Sequence, residues 1–306
     1  MARTRRKDFD KMPTFAEMRE REVARDGEFF AGLNMGELEY EGYPAALPVR
    51  YTEQSGYVGV FMAKYHALKR YLPRDPTLRP LQVVPGVTPL IIAAVESRAT
   101  DIGPYNSVLV LIPIKDPGHI GYFSPLNLIP GFDLLRQSLL QRKNHIFVWR
   151  IPDDSYISYK LGYAFFGMPK FASDIDYDDH GDKIVCSVLA EEELIFRLHC
   201  KKLATRYANK GSVPVHGLAY FYRDKLPMTE ETRMLARDFG VSLKASDLVL
   251  ELGEEHPMAR ELRDVLFSTR ALCYVYAPVS NLLIYEPGRL APDVLEDFVR
   301  LFGEKS

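Results

Sequence analysis

The sequence predicts a mainly β, α+β protein built as an antiparallel, closed or nearly closed β-barrel with flanking helices. Three observations lead there. Short apolar runs rich in Val, Ile and Leu recur between turn signals. They follow one another by hairpins, without the regular strand–helix alternation of a doubly wound nucleotide-binding sheet. The composition is also that of a packed chain, with 47% hydrophobic and 26% charged residues over 306 positions.

Residues 1–40 read as an N-terminal helical appendage, with a charged surface helix at 15–25, and residues 41–306 as one barrel domain. Residues 57–61 read as a strand and 63–72 as a helix stopped by Pro73. Strands follow at 90–95 and 107–114, with Gly103 and Pro104 as punctuation between them, and at 145–150. Residues 153–166 form a helix that Asp153 or Asp154 caps and that Gly167 ends in the left-handed conformation. Pro169 then blocks continuation. Residues 172–177 and 183–189 flank a turn at 178–182, and 194–201 adds a third strand. Further strands are expected at 215–222, 247–252, 272–276 and 282–285, and further helices at 229–239, 256–266 and 292–302.

Several function classes are excluded. A net charge of −2 gives no basic footprint for a nucleic-acid partner. The three cysteines lack the spacing of a disulfide framework, which fits a reducing compartment. No apolar run is long enough to span a membrane, and the basic start leads into no apolar leader segment. The expectation is a cytoplasmic protein with no membrane partner. Neither a glycine-rich phosphate loop nor a Gly-x-Ser-x-Gly elbow is present. The histidines are scattered, so no metal or other cofactor is expected. His199 and Cys200 are strand neighbours whose side chains diverge, so they read as ordinary strand residues rather than a dyad.

One run carries chemistry: Gly162-Tyr-Ala-Phe-Phe-Gly-Met-Pro-Lys-Phe171. A helix ends, a proline fixes the exit and Lys170 heads a strand with Phe166, Met168 and Phe171 beside it. If those side chains share one cavity, Lys170 is desolvated. Its pKa then falls, and a neutral amine is what attack on a carbonyl requires. The residues alone leave open a solvated strand-start lysine next to plain core aromatics.

This run resembles the Gly-x-x-x-x-(Ala/Gly)-(Tyr/Phe)-Pro-Lys segment of the acetoacetate decarboxylase family, whose lysine forms a Schiff base. Gly103-Pro-Tyr-Asn-Ser-Val-Leu-Val-Leu-Ile-Pro-Ile114 resembles that family's Gly-x-Tyr-x-Glu…Ile-Pro-Val strand. The hairpin at 173–189, His256-Pro-Met258 and residues 277–286 resemble later family segments, so the likeness spans 43–288. It implies a β-barrel with an apolar cavity, an assembly of identical subunits, no cofactor, and an imine between lysine and a small oxo substrate.

The chain departs from the family pattern at four places. Ser107 and Ile92 stand where the family has glutamates, Ser55 near its arginine, and Phe171 in place of a second lysine. The resemblance therefore implies a Schiff-base-forming lyase on a small oxo acid or ketone, of decarboxylase or aldolase/dehydratase type. The alternative is a non-catalytic small-molecule-binding barrel. Besides the catalytic Lys170, the expected substrate-binding residues are Tyr105, Ser107, Phe166, Met168, Phe171, Arg98 and Glu286. Tyr105 and Ser107 share a strand face. Tyr105 reads equally as a core tyrosine, Arg98 with Glu96 as a surface pair, and Glu286 as a rim carboxylate.

Overall fold

Among the described residues, backbone hydrogen bonding forms a two-stranded hairpin, a four-stranded sheet and a nine-stranded sheet. The computed structural model describes residues 29–30, 33–40, 43–75, 78–115, 144–205, 213–223 and 226–289. In chain order the elements are β1 (Gly36–Tyr40), β2 (Tyr43–Leu47), β3 (Val49–Lys64), α1 (Tyr65–Lys69), β4 (Val87–Thr100), β5 (Tyr105–Pro113) and β6 (Asn144–Asp153). Then come α2 (Tyr156–Tyr159), a π-helical turn (Lys160–Phe166), β7 (Lys170–Ala172), β8 (Asp174–Asp179), β9 (Lys183–Ala190) and β10 (Glu193–Lys201). The chain continues through β11 (Val213–Arg223), β12 (Leu226–Ser242), β13 (Leu248–Leu252), α3 (Pro257–Val265), β14 (Cys273–Ile284) and β15 (Gly288–Arg289).

The large sheet runs β11-β12-β14-β3-β4-β5-β6-β7, with β15 on β12. β11 also pairs with β6, from Gly217 opposite Asn144 to Tyr220 opposite Phe147. The hydrogen bonds from β6 through β11, β12, β14, β3, β4 and β5 thus return to β6 and form a ring. The sheet is mixed, which corrects the antiparallel expectation: β6 runs parallel to both β11 and β7. A parallel neighbour needs a crossover rather than a hairpin. Between β6 and β7 that crossover is α2 with its π-helical turn. The smaller sheet, β13-β10-β9-β8, is antiparallel throughout.

Alternation along the strands separates two cores. In the first, Tyr57, Phe61, Ile92, Val108 and Trp149 of the large sheet pack with Phe196 and Leu198 of β10 and Leu262 of α3. The second gathers Tyr51, Tyr105, Val148, Phe221 and Met228 from the large sheet. It adds Ile157, Leu161, Phe166 and Met168 from the crossover. This second core surrounds the candidate site.

Most expected strands are present but longer. Residues 57–61 lie within β3, and 272–276 and 282–285 are parts of the single strand β14. Helix 63–72 shrinks to the five residues of α1, because Ala63 and Lys64 still pair with Thr88 and Val87. The expected helix at 229–239 is instead part of β12. Its Glu, Arg, Met, Leu and Ala content favours a helix, but pairing with β11 on one side and β14 on the other decides the outcome. The boundary expected at residue 40 falls inside the β1–β2 hairpin. The helices expected at 15–25 and 292–302 lie outside the described residues.

Candidate functional site

The site begins where β6 ends. Asp153 Oδ1 accepts a hydrogen bond from the Ser155 amide at 2.9 Å, and Ser155 Oγ accepts one from the Ser158 amide at 3.2 Å. Ser155, not Asp153 or Asp154, is therefore the N-cap of α2. Asp154 turns the other way and accepts from the backbone and side-chain amides of Asn106 at 2.7 and 2.9 Å. After one α-turn the helix widens into the π-helical turn, a local irregularity frequent at functional sites. Gly167 ends it at φ 76°, the left-handed conformation expected from the sequence. Pro169 then offers its carbonyl to the Ile151 amide, and Lys170 enters β7 opposite Ile151.

That short crossover returns Lys170 to Asp153. Lys170 Nζ donates to Asp153 Oδ2 at 2.8 Å and to Ser158 Oγ at 2.5 Å, and Ser158 Oγ donates to the same Asp153 oxygen at 2.7 Å. The lysine side chain is 8% exposed and the aspartate 0%. The ammonium also lies 5.4 Å from the centre of the Tyr105 ring. The lysine stem passes directly over Gly162: a Cβ there would lie 2.5 Å from both Cδ and Cε. Only a glycine leaves room for this course.

Burial works to lower the Lys170 pKa, but the Asp153 carboxylate and then Tyr105 outweigh it. The amine ends above the ordinary lysine value. This corrects the expected downward shift. Desolvation is present, as the apolar run implies, but a carboxylate shares the enclosure and holds the proton.

Three further groups complete the surroundings. Tyr51 and Tyr105 share a hydrogen bond between hydroxyls 2.7 Å apart. Burial raises both phenols, and for Tyr105 the nearby Lys170 charge works against the rise. Glu230 is buried, and burial pushes its carboxyl up to about 8 against the opposing charge of Lys170. Next to Tyr51, the buried Arg50 guanidinium is engaged by Asp101 at 3.1 and 3.2 Å. No cluster suited to holding a metal ion exists among the described residues. Nor is any helix among them long and apolar enough to cross a membrane.

No family model and no curated protein matches this chain. Solved structures do. Acetoacetate decarboxylase from Legionella pneumophila superposes with a TM-score of 0.57 at 15% identity, covering 87% of this chain and 94% of that one. This chain has the acetoacetate decarboxylase fold. An acetoacetate decarboxylase-like enzyme from Sphingomonas wittichii is also similar, with a TM-score of 0.47 at 15% identity over 83% of this chain and 98% of that one. An enduracididine biosynthesis enzyme gives 0.48 at 13% identity over 80% and 88%.

On this decarboxylase fold the residues expected from sequence separate into two groups. Tyr105 lies beside Lys170, and Phe166 and Met168 are buried in the core around it. Ser107 is buried opposite Asp153 in the β5–β6 register. Phe171 is a correction: it packs against the first core, because its position next to Lys170 on a strand turns it to the other face. Arg98 is a second correction. Its side chain is 42% exposed and holds Glu96 at 2.8 Å and Glu53 at 3.8 Å, a surface pairing. Glu286 is exposed beyond the end of β14. The Phe165 side chain lies outside the described residues. As expected for strand neighbours, His199 faces out to Glu251 while Cys200 is buried.

Sequence reasoning missed Asp153, Ser158, Tyr51 and Glu230. Asp153 and Ser158 had a usable signal, since Asp-x-Ser-x-x-Ser at a helix start places polar side chains around the first turn. Tyr51 had none, because its partner lies 54 positions away.

Proposed function

We propose that this protein is a Schiff-base-forming enzyme of lyase type. It acts through Lys170 on a small oxo acid or ketone, by decarboxylation or by aldol or dehydration chemistry. One observation carries the reading: a buried primary amine held at a fixed point by a carboxylate and a hydroxyl. The resemblance of the run from Gly162 to Phe171 and the shared fold support it. In this reading the ring of strands is a closed barrel with the second core on its inner side, and the protein assembles from identical subunits.

The resting ammonium supplies its own path to a nucleophile. Lys170 gives one proton to Asp153, directly or through the Ser158 hydroxyl, which bonds both. The freed lone pair adds to the substrate carbonyl carbon, and the oxygen departs as water with the returned proton. The resulting iminium keeps the positive charge beside Asp153, where the fold already balances it. It draws off the electron pair of the carbon–carbon bond that breaks, which is the step needing stabilisation. Tyr51 and Tyr105 orient a substrate oxygen in this reading.

A binding chamber without catalysis is the second reading. It is favoured by the elevated amine pKa, which leaves Lys170 a charged anchor in the resting protein. One experiment separates the two. Borohydride added with pyruvate or acetoacetate fixes a secondary amine at Lys170 if the imine forms, located by peptide mass mapping, and Lys170→Ala abolishes it. Saturable binding of either compound with no fixed adduct would select the binder.

A further inference from the structure

Glu230 lies on β12 two residues from Met228, so both project from one face of that strand. Met228 belongs to the core around Lys170. In the register Glu230 stands opposite Ala219 of β11, which packs against the same core. It is 4% exposed, and its Oε2 is fully buried with no hydrogen-bond partner among the described residues. The other carboxylates buried here are engaged: Asp101 by Arg50, and Asp153 by Lys170 and Ser158. A buried carboxyl oxygen without a partner is costly and rare in a folded protein. The groups whose charge couples to Glu230 are Lys170 on β7 and Tyr51 on β3, with Asp153 and Tyr105 beyond them on β6 and β5. An acid group thus lies on the core around the nucleophile, coupled to its charge, with one oxygen uncommitted.

We propose that Glu230 is the proton carrier of this site, moving a proton on and off the substrate carbon next to the imine. The proposal rests on the Schiff-base reading of Lys170. After the carbon–carbon bond breaks, the substrate fragment is a neutral enamine. The Glu230 carboxylic acid gives its proton to the enamine carbon, forming a C–H bond, and the nitrogen returns to an iminium. Water then adds to the iminium and the carbonyl product leaves. Lys170 is restored as the ammonium, and Glu230 recovers one proton from solvent. In the reverse sense the Glu230 carboxylate removes that C–H proton from an iminium, converting it to the enamine. Burial keeps Glu230 largely protonated at neutral pH, ready for the forward step. Because iminium and ammonium carry the same charge, this holds with substrate bound.

Acetone is a probe that reports both steps without knowledge of the natural substrate. With cyanoborohydride it leaves an isopropyl group on the lysine whose imine forms. In deuterated water its methyl hydrogens exchange through the enamine and are followed by proton NMR. The full-length protein is expected to be labelled at Lys170 and to exchange acetone hydrogens. Glu230→Gln keeps the shape, should be labelled as readily, and should exchange about 100-fold more slowly. Glu230→Asp should recover part of the loss. Wild-type exchange should rise with pH through an inflection at about 8, as the carboxylate form appears. Labelling with undiminished exchange in Glu230→Gln overturns the role of Glu230 and leaves the Schiff base standing. Absence of labelling in the wild type removes the Schiff base, and Glu230's role with it. Should Glu230→Gln fail to fold, the wild-type profile decides, and exchange with no inflection in that region overturns the proposal.

Discussion

Replacing Asp153 by asparagine isolates the force that holds Lys170. The substitution keeps the shape of the side chain and removes its charge. In the native protein the lysine is 8% exposed, and burial alone works against its charge. With the carboxylate gone only the weaker pull of Tyr105 and Glu230 opposes that burial, the largest single effect, so the folded-state pKa drops below the ordinary lysine value instead of rising above it. Leaving one member of a buried ion pair behind costs about 3–5 kcal/mol. An upper bound comes from discharging the amine. With an unfolded pKa of about 10.4, that costs about 4.6 kcal/mol at pH 7 and about 0.7 kcal/mol at pH 10. The sign follows from linkage. A raised pKa gives the wild type stability that is fully present below the unfolded lysine value and is lost only as pH climbs through the folded one. The variant's penalty is instead present at neutral pH and fades as the amine loses its proton. Urea denaturation of both proteins at about pH 7 and pH 10 measures the difference. The expected gap is several kcal/mol at the lower pH and smaller at the higher, where the variant's penalty has faded but the wild-type stabilisation is still present. A loss below about 1 kcal/mol, or the same loss at both values, would refute the account of Lys170 as a buried charge balanced by Asp153.

Three other substitutions or probes test separate parts of the structure. Gly162→Ala puts a methyl group where Cδ and Cε of Lys170 now lie, and should cut borohydride trapping at least about tenfold while circular dichroism stays native. Phe171→Ala should cost about 2–4 kcal/mol in urea denaturation yet leave trapping intact, because the ring serves the first core. With a thiol reagent at pH 8, Cys273 should react first in the native protein. Cys186 and Cys200 are buried, and burial pushes the Cys186 thiol up to about 12 and the Cys200 thiol higher still. Fast labelling of either buried cysteine would contradict the packing between the two sheets.

What could be read from sequence was local. The end of the crossover at Gly167, the rigid exit at Pro169 and the strand start at Lys170 are encoded within a few residues, and all three are found as expected. The turn between β8 and β9 is local in the same way. What escaped depends on pairing across long separations. Glu230 was hidden because its segment carries strong helix formers, and a helix would have set Met228 and Glu230 on different faces. Only the hydrogen bonds from β11 and β14 make it a strand. The pKa of Lys170 was misjudged for a related reason. The aromatic neighbours announce desolvation, but the parallel β6–β7 register that brings Asp153 close has no local signature. Arg98 shows the limit of alternation: period two groups Glu96 with Arg98 correctly, without telling which side of the sheet is wet.

The two kinds of polar group near the amine have different origins in the chain. Asp153, Ser158 and Lys170 all belong to one compact excursion, with only 17 positions from the first to the last. Glu230 is delivered by a strand that arrives only after β8, β9 and β10 of the smaller sheet. The anchor of the lysine is thus a self-contained cassette, whereas the acid opposite it is an interchangeable fitting. In the proposed reading, rewriting β12 would redirect what happens to a bound molecule while the lysine's anchor stays as it was.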